Sequence, residues 1–190
     1  NNIKACSLAV SLISSKKADM VMKGLVDTAT FLRAVLDKER GLRTGKVLSH
    51  VAVFEVSALQ RMIILTDAAM NIAPDLLAKK QILENAVQVA HALGMELPKV
   101  APVAAVEVVN PDMPATIDAA LLSNMNDRGQ IKGCIVDGPL AIDNALSEEA
   151  ARHKGIQSPV AGNADIILVP NIETGNAMYK TLTYTANARV

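Results

Sequence analysis

Between Ser158 and Lys180 the chain reads SPVAGNADIILVPNIETGNAMYK, and this stretch limits the possible folds more than any other. A small-residue turn, Val160-Ala161-Gly162, leads into an apolar run from Ala164 to Val169. Pro170 cannot donate to a sheet ladder and stops the strand. The polar corner Asn171 to Asn176 then opens a helix. Strand, tight corner and helix start belong to α/β proteins, which hold ligands at strand carboxyl ends. The first amides of a helix lack internal partners and lie at the positive end of its dipole. On this reading Thr174, Gly175 and Asn176 begin the helix, and Lys180, about one turn further on, adds a positive charge to an anion-binding corner. Most such corners in α/β proteins hold no ligand, so the pattern alone leaves both readings open.

A chain of 190 residues is long enough to bury a sizeable core as one large domain or one and a half. Half its residues are apolar, yet it has two Phe, two Tyr and no Trp. The core must be built from aliphatic side chains, which suits buried parallel strands covered by Ala-rich helices. Nineteen basic residues balance nineteen acidic ones, so no net field draws the protein to nucleic acid or anionic lipid. Any phosphate contact is therefore local, which favours a small ligand. Cys6 and Cys134 have no CxxC or His-paired spacing, and two reduced, buried thiols in a cytoplasmic protein are expected. No apolar run reaches the roughly 18–20 residues of a membrane span. Serines interrupt the apolar stretch Ala5 to Ile13, and no cleavage pattern follows it. The chain begins with Asn1, in mid-helix by its pattern, and is expected to be a fragment.

Ala5, Leu8, Ala9, Leu12 and Ile13 share one helical face, and Ser14 to Lys17 closes that helix. Ala18 to Met22 reads as a short buried strand, and Thr28 as the N-cap of a second helix. This puts Arg33 near a helix start past a strand end, where an arginine either reaches a phosphate or is merely solvated. Lys38 to Lys46 is polar, contains glycine and marks a domain boundary. Val47 to Val56 and Met62 to Thr66 read as a strand pair. A long helix starts at Pro74-Asp75, with Leu76, Leu77, Ile82, Ala86, Val89 and Leu93 on its buried side and Gly94 at its end; His91 is a surface residue of that helix or a satisfied core one. Lys99 to Val108 is a strand cut by Pro102, which suggests an edge or an irregular start. Met113 to Arg128 is helical, Ile131 to Val136 a strand, Asn144 to His153 helical, and a last helix runs from about Asn176 to Ala188, with no closing strand. Alternating strands and helices mean an α/β fold with a largely parallel sheet.

There is no GxGxxG, Walker A, GxSxG or HExxH motif. Thr28, Arg33, Asp67, Asn71, Asp137, Asn176 and Lys180 gather at predicted strand ends. Asp67 and Asp137 are candidate acid–base groups, although each is also well placed to cap a turn. His153 and Lys154 lie where cations favour a helix C-terminus, and where they could also face a phosphate.

Taken together, TDAAMNIAPD (Thr66 to Asp75), DGPLAIDNAL (Asp137 to Leu146), RHKGIQSPVAGNADIILVPNIETGNAMYK (Arg152 to Lys180) and GLRTGKVLSHVAVFE (Gly41 to Glu55) resemble phosphate acyltransferases. Bacterial phosphate butyryltransferases are the nearest branch, and the resemblance covers nearly the whole chain. It implies reversible transfer of an acyl group between coenzyme A and inorganic phosphate, with both substrates in a cleft between two α/β domains. The architecture implied is that of isocitrate and isopropylmalate dehydrogenases, usually as a homodimer. Residues 1–45 would be a remnant of the first domain and 46–190 the second. The chemistry needs a base for the thiol, cations for phosphate and donors for the oxyanion. It implies no metal and no cofactor, coenzyme A being a substrate.

By the resemblance Arg33 in FLRAVL matches a phosphate- or CoA-associated arginine, and Lys154 and Lys180 match basic residues near the cleft. Gly175 and Asn176 are further substrate contacts, with Thr28 and Asp137 as additional candidates. Acetyl-specific members tend to carry an arginine one turn after the Tyr-Lys pair, where this chain has Tyr184. The serine-arginine segment and aspartate assigned to catalysis are expected downstream of Val190. Two alternatives stand beside the butyryltransferase: an acetyltransferase, and a non-catalytic dimerisation or metabolite-sensing module.

Overall fold

A computed structural model describes residues 1–190. The chain divides into two compact units, Asn1–Lys46 and Val47–Val190.

The first unit is helical. α1 (Asn2–Ser14) begins at Asn1, whose side chain accepts from the Ile3 amide at 3.0 Å. Its buried positions are Cys6 and Val10, whereas Leu8 and Leu12 are exposed. The buried stripe therefore runs one residue away from the predicted one. α2 (Thr28–Val35) is capped by Asp27, not Thr28, and the Asp27 carboxylate accepts from the Thr30 amide at 2.8 Å. That bond favours the ionised form and lowers the Asp27 pKa. Arg33 lies in the last turn of α2, not near its start. The expected strand at Ala18 to Met22 does not form, and Met20 and Met22 are 82% and 87% exposed. A strand needs a neighbour to satisfy its amides and carbonyls, and this unit contains only helices.

The second unit is α/β. Its elements are β1 (Ala52–Val56), a single 3₁₀ turn (Ser57–Leu59), β2 (Arg61–Thr66), α3 (Leu76–Ala92), β3 (Lys99–Pro102), α4 (Pro114–Asp127), β4 (Ile135–Val136), α5 (Ile142–Leu146), α6 (Glu148–His153), β5 (Ile166–Leu168) and α7 (Ile172–Tyr184). The five strands lie in the order β1-β2-β5-β3-β4. Only β1 and β2 are antiparallel; Ala52 faces Leu65 and Val56 faces Arg61. β2, β5, β3 and β4 run parallel. Pro102 is thus not on an edge strand: it ends an interior one, beyond which the loop takes over.

Alternation along the strands sends side chains to both faces. Ile64, Val100, Ile166 and Leu168 point to the layer of α3 and α4, where Ile82, Leu83, Ala86 and Leu122 meet them. Ile63, Leu65, Ala101 and Ile167 point to the opposite layer, against Met178, Tyr179 and Leu182 of α7. Burial on both faces is the usual condition of parallel strands, and each such Ile or Leu contributes about 1.5–3 kcal/mol.

Several helices differ from the sequence expectation in detail. The buried face of α3 is Lys79, Ile82, Leu83, Ala86, Val87 and Ala90, while Leu77 and Leu93 are exposed. The expected helix over 144–153 is broken at Ser147, which is extended (φ −125°, ψ 117°) and caps α6 through the Ala150 amide. The final helix starts at Ile172, four residues earlier than predicted. After it, Arg189 and Glu55 exchange backbone bonds of 2.9 and 3.1 Å along the open edge of β1, so an antiparallel bridge does follow the last helix.

Candidate functional site

After β3 the chain passes to α4 on one face of the sheet; after β5 it passes to α7 on the other. Adjacent parallel strands whose connections leave in opposite directions create a crevice at their carboxyl ends, where open α/β sheets bind ligands. Here that crevice is a cleft of about 820 Å³. Val103, Ala104 and Ala105 form one wall, Ile142 and Leu146 of α5 a second, and Met178 and Leu182 of α7 a third. Thr174 and Thr181 supply the only polar side chains, and no charged residue lines it. Such a surface suits an alkyl group and gives no direct grip on a phosphate.

The polar corner after β2 lies beside β5, on the side away from β3. Asp67 is buried, and its Oδ1 accepts from the amides of Ala69 and Met70, both at 2.9 Å. Asn71 Nδ2 donates to Asp67 Oδ2 at 2.6 Å and to the Leu48 carbonyl at 2.9 Å. Asp67 is therefore a turn cap with its acceptors engaged, not a free base. The Thr66 hydroxyl donates to the His50 carbonyl at 2.8 Å. The His50 ring meets Tyr179 edge-on at 5.9 Å, and its buried Nδ1 has no partner.

At the start of α7 the expected row of free amides is largely filled. Asn171 is the N-cap and accepts from the Thr174 amide at 2.9 Å, and the Ile172 amide donates to the Ile72 carbonyl at 2.9 Å. Glu173 adds a negative charge to the first turn. Gly175 already donates within the helix, to the Asn171 carbonyl. Gly175 has a packing role instead: a Cβ there would lie 2.5 Å from the Asp67 carbonyl oxygen and 2.8 Å from Ala68 Cα. Asn176 Nδ2 makes a long contact of 3.4 Å to the Ala68 carbonyl. Gly175 and Asn176 thus fasten α7 to the Asp67 corner. Lys180 is exposed and unpaired, in the third turn of the helix rather than one turn in.

The remaining candidates are scattered. Lys154 follows α6, and its Nζ lies 2.7 Å from Glu107 Oε1 and 3.6 Å from Asp143 Oδ2. The hydrogen bond to Glu107 raises its pKa above the ordinary lysine value. Asp137 is half-buried at the end of β4, its amide donating to the Val100 carbonyl at 3.2 Å. Thr28 and Arg33 belong to the first unit, where Arg33 is exposed and unpaired. Cys6 and Cys134 are free and buried, and burial pushes the Cys134 thiol up to about 11. No helix is long and apolar enough to cross a membrane.

Two arrangements escaped the sequence reading. Lys79 is buried in α3, with its Nζ 2.6 Å from Asp118 Oδ2 of α4. Its spacing from Ile82, Leu83 and Ala86 is the one available signal, since it falls on the stripe those residues define. The second is the pairing of Glu107 with the fully buried Asn144, a contact 37 residues apart that no local pattern announces.

Residues 1–190, the whole chain, match the phosphate acetyl/butaryl transferase family. The chain belongs to that family. Among curated members it is 66% identical over 189 residues to a phosphate butyryltransferase of Clostridium acetobutylicum, covering 99% of this chain and 63% of that protein. It is 52% identical over 186 residues to a phosphate acetyltransferase of Thermotoga maritima, covering 98% and 63%. A branched-chain phosphotransacylase of Enterococcus faecalis superposes with a TM-score of 0.88 at 40% identity, covering 96% of this chain and 65% of that one. The chain therefore spans a little under two thirds of these phosphate acetyl/butaryl transferase relatives.

Proposed function

We propose that the intact protein is a phosphate butyryltransferase, catalysing acyl-CoA + phosphate ⇌ acyl phosphate + CoA on short linear or branched acyl groups. The observation that carries this reading is the higher identity to a butyryltransferase than to an acetyltransferase over the same span. The apolar cleft at the carboxyl ends of β3 and β5 supports it, because an alkyl chain longer than acetyl gains from leaving water there. Each methylene is worth about 1–3 kcal/mol in such a pocket.

In the forward direction a phosphate oxygen attacks the thioester carbonyl, the C–S bond breaks, and the thiolate takes a proton. In reverse the CoA sulfur attacks the acyl phosphate and phosphate leaves. Phosphate and the CoA phosphates need cations. Arg33 and Lys180, exposed and without an ion-pair partner, are the residues we assign to such contacts. Gly175 and Asn176 act one step back, by holding α7 against the Asp67 corner. Thr28 and Asp137 remain candidate substrate contacts, as polar residues that the sequence pattern gathers at predicted strand ends.

A two-domain architecture of the isocitrate and isopropylmalate dehydrogenase kind, a homodimer, and residence in the cytoplasm complete the proposal. Initial rates of phosphate-dependent thiol release from acetyl-, butyryl- and isobutyryl-CoA test it on the intact protein. Faster release from the four-carbon thioesters is expected. Preference for acetyl-CoA would assign an acetyltransferase, and no release from any thioester would favour a non-catalytic module.

A further inference from the structure

Two walls of the apolar cleft are joined at their base by backbone. Val103 bridges Leu140, and the Ala104 amide donates to the Leu140 carbonyl at 2.9 Å. Beyond that point the loop from β3 to α4 is on its own: residues 105–109 make no backbone–backbone hydrogen bond. Their attachment is Glu107. Its Oε1 accepts from Asn144 Nδ2 on α5, and Asn144 is fully buried between the cleft-lining residues Ile142 and Leu146. The same oxygen accepts from Lys154 Nζ at 2.7 Å.

A carboxylate set against a buried amide needs its charge balanced, since a partly desolvated charge without a partner is costly. Lys154 provides that balance and also reaches Asp143 at 3.6 Å, so its ammonium is engaged twice within the chain. Glu107 is the one hydrogen-bond partner of the Asn144 side chain, whose buried Oδ1 has none. The three side chains make a link from α6 through the loop to α5. It spans the rim between the Ala105 wall and the Ile142–Leu146 wall.

We propose that Lys154 is a positioning residue, which by holding Glu107 against Asn144 fixes the β3–α4 loop on α5 and so sets the width of the apolar cleft. This differs from the role implied by resemblance, in which Lys154 would meet substrate phosphate. Its kinetic consequence rests on the acyltransferase reading above; its structural consequence does not.

The test uses the intact protein with Lys154→Met, Lys154→Arg, Glu107→Gln and the Lys154→Met/Glu107→Gln pair. Hydrogen exchange of the Ala104 amide, which is bonded to Leu140 at the base of this loop, is expected to speed up about fivefold in Lys154→Met and in Glu107→Gln, and to return towards wild type in Lys154→Arg. In parallel, KM for butyryl-CoA rises about fivefold in both single variants while KM for phosphate holds. The pair is no worse than either single, as expected for two residues of one link. Unchanged exchange in Lys154→Met overturns the proposal. So does a rise in phosphate KM confined to the lysine variants, which would make Lys154 a phosphate ligand. A wild-type protein without acyl transfer would refute the function while leaving the exchange arm to decide the link.

Discussion

Gly175 shows how one residue type can serve two explanations. In the sequence it marks a helix start suited to anions; in the structure its missing side chain lets α7 approach the backbone of Asp67 and Ala68. The difference is testable. Gly175→Ala should destabilise the protein by about 1–3 kcal/mol through overpacking against backbone that cannot yield, measured by urea unfolding. Unchanged stability would mean that the corner gives way more readily than its geometry implies. Arg33 calls for the opposite pattern. Being exposed, it contributes little to folding, so Arg33→Ala should move stability by no more than about 0.5 kcal/mol. It should raise KM for phosphate or acyl-CoA about tenfold, the loss of a charge-assisted contact. Unchanged kinetics with both substrates would show that Arg33 is only solvated.

Among the elements, α3 and α4 are joined by the buried Lys79–Asp118 pair on the layer that covers Ile64 and Ile166. Removing one partner strands a charge where water has little access, whereas removing both need not. Asp118→Ala should therefore cost about 3 kcal/mol, and Lys79→Met combined with Asp118→Leu should recover most of that loss. An additive loss in the double variant would mean that the pair itself supplies net stability. The sheet elements also explain which features could be read in advance. The β1–β2 pair, Asp75 as the start of α3, the Gly94 exit and the Pro170 stop all follow from local rules about alternation, capping and proline. The place of β3 inside the sheet does not, because strand order depends on contacts between segments far apart in the chain. The burial of Lys79 was hidden for the related reason that a helix face is chosen by its neighbours. A strand at Ala18 to Met22 fails in the same way, since a favourable local run has no neighbour to pair with.

At the scale of the molecule, the α/β class and the family were both legible in the residues, while the candidate site was legible only in part. The sequence pointed to a corner of charged and small residues. The structure adds a large apolar cleft at the switch between β3 and β5, built by residues that carry no chemical signature of their own. Alanines, leucines and methionines announce a core, and only the crossing of the chain turns them into a pocket. Transfer of the acyl group to inorganic phosphate, and not to water, defines the proposed activity. It is tested most directly by incubating the intact protein with butyryl-CoA and radiolabelled phosphate, following thiol release and label in butyryl phosphate together. One butyryl phosphate is expected for each thiol, with no release when phosphate is left out. Thiol release that is independent of phosphate, with free butyrate as product, would contradict it.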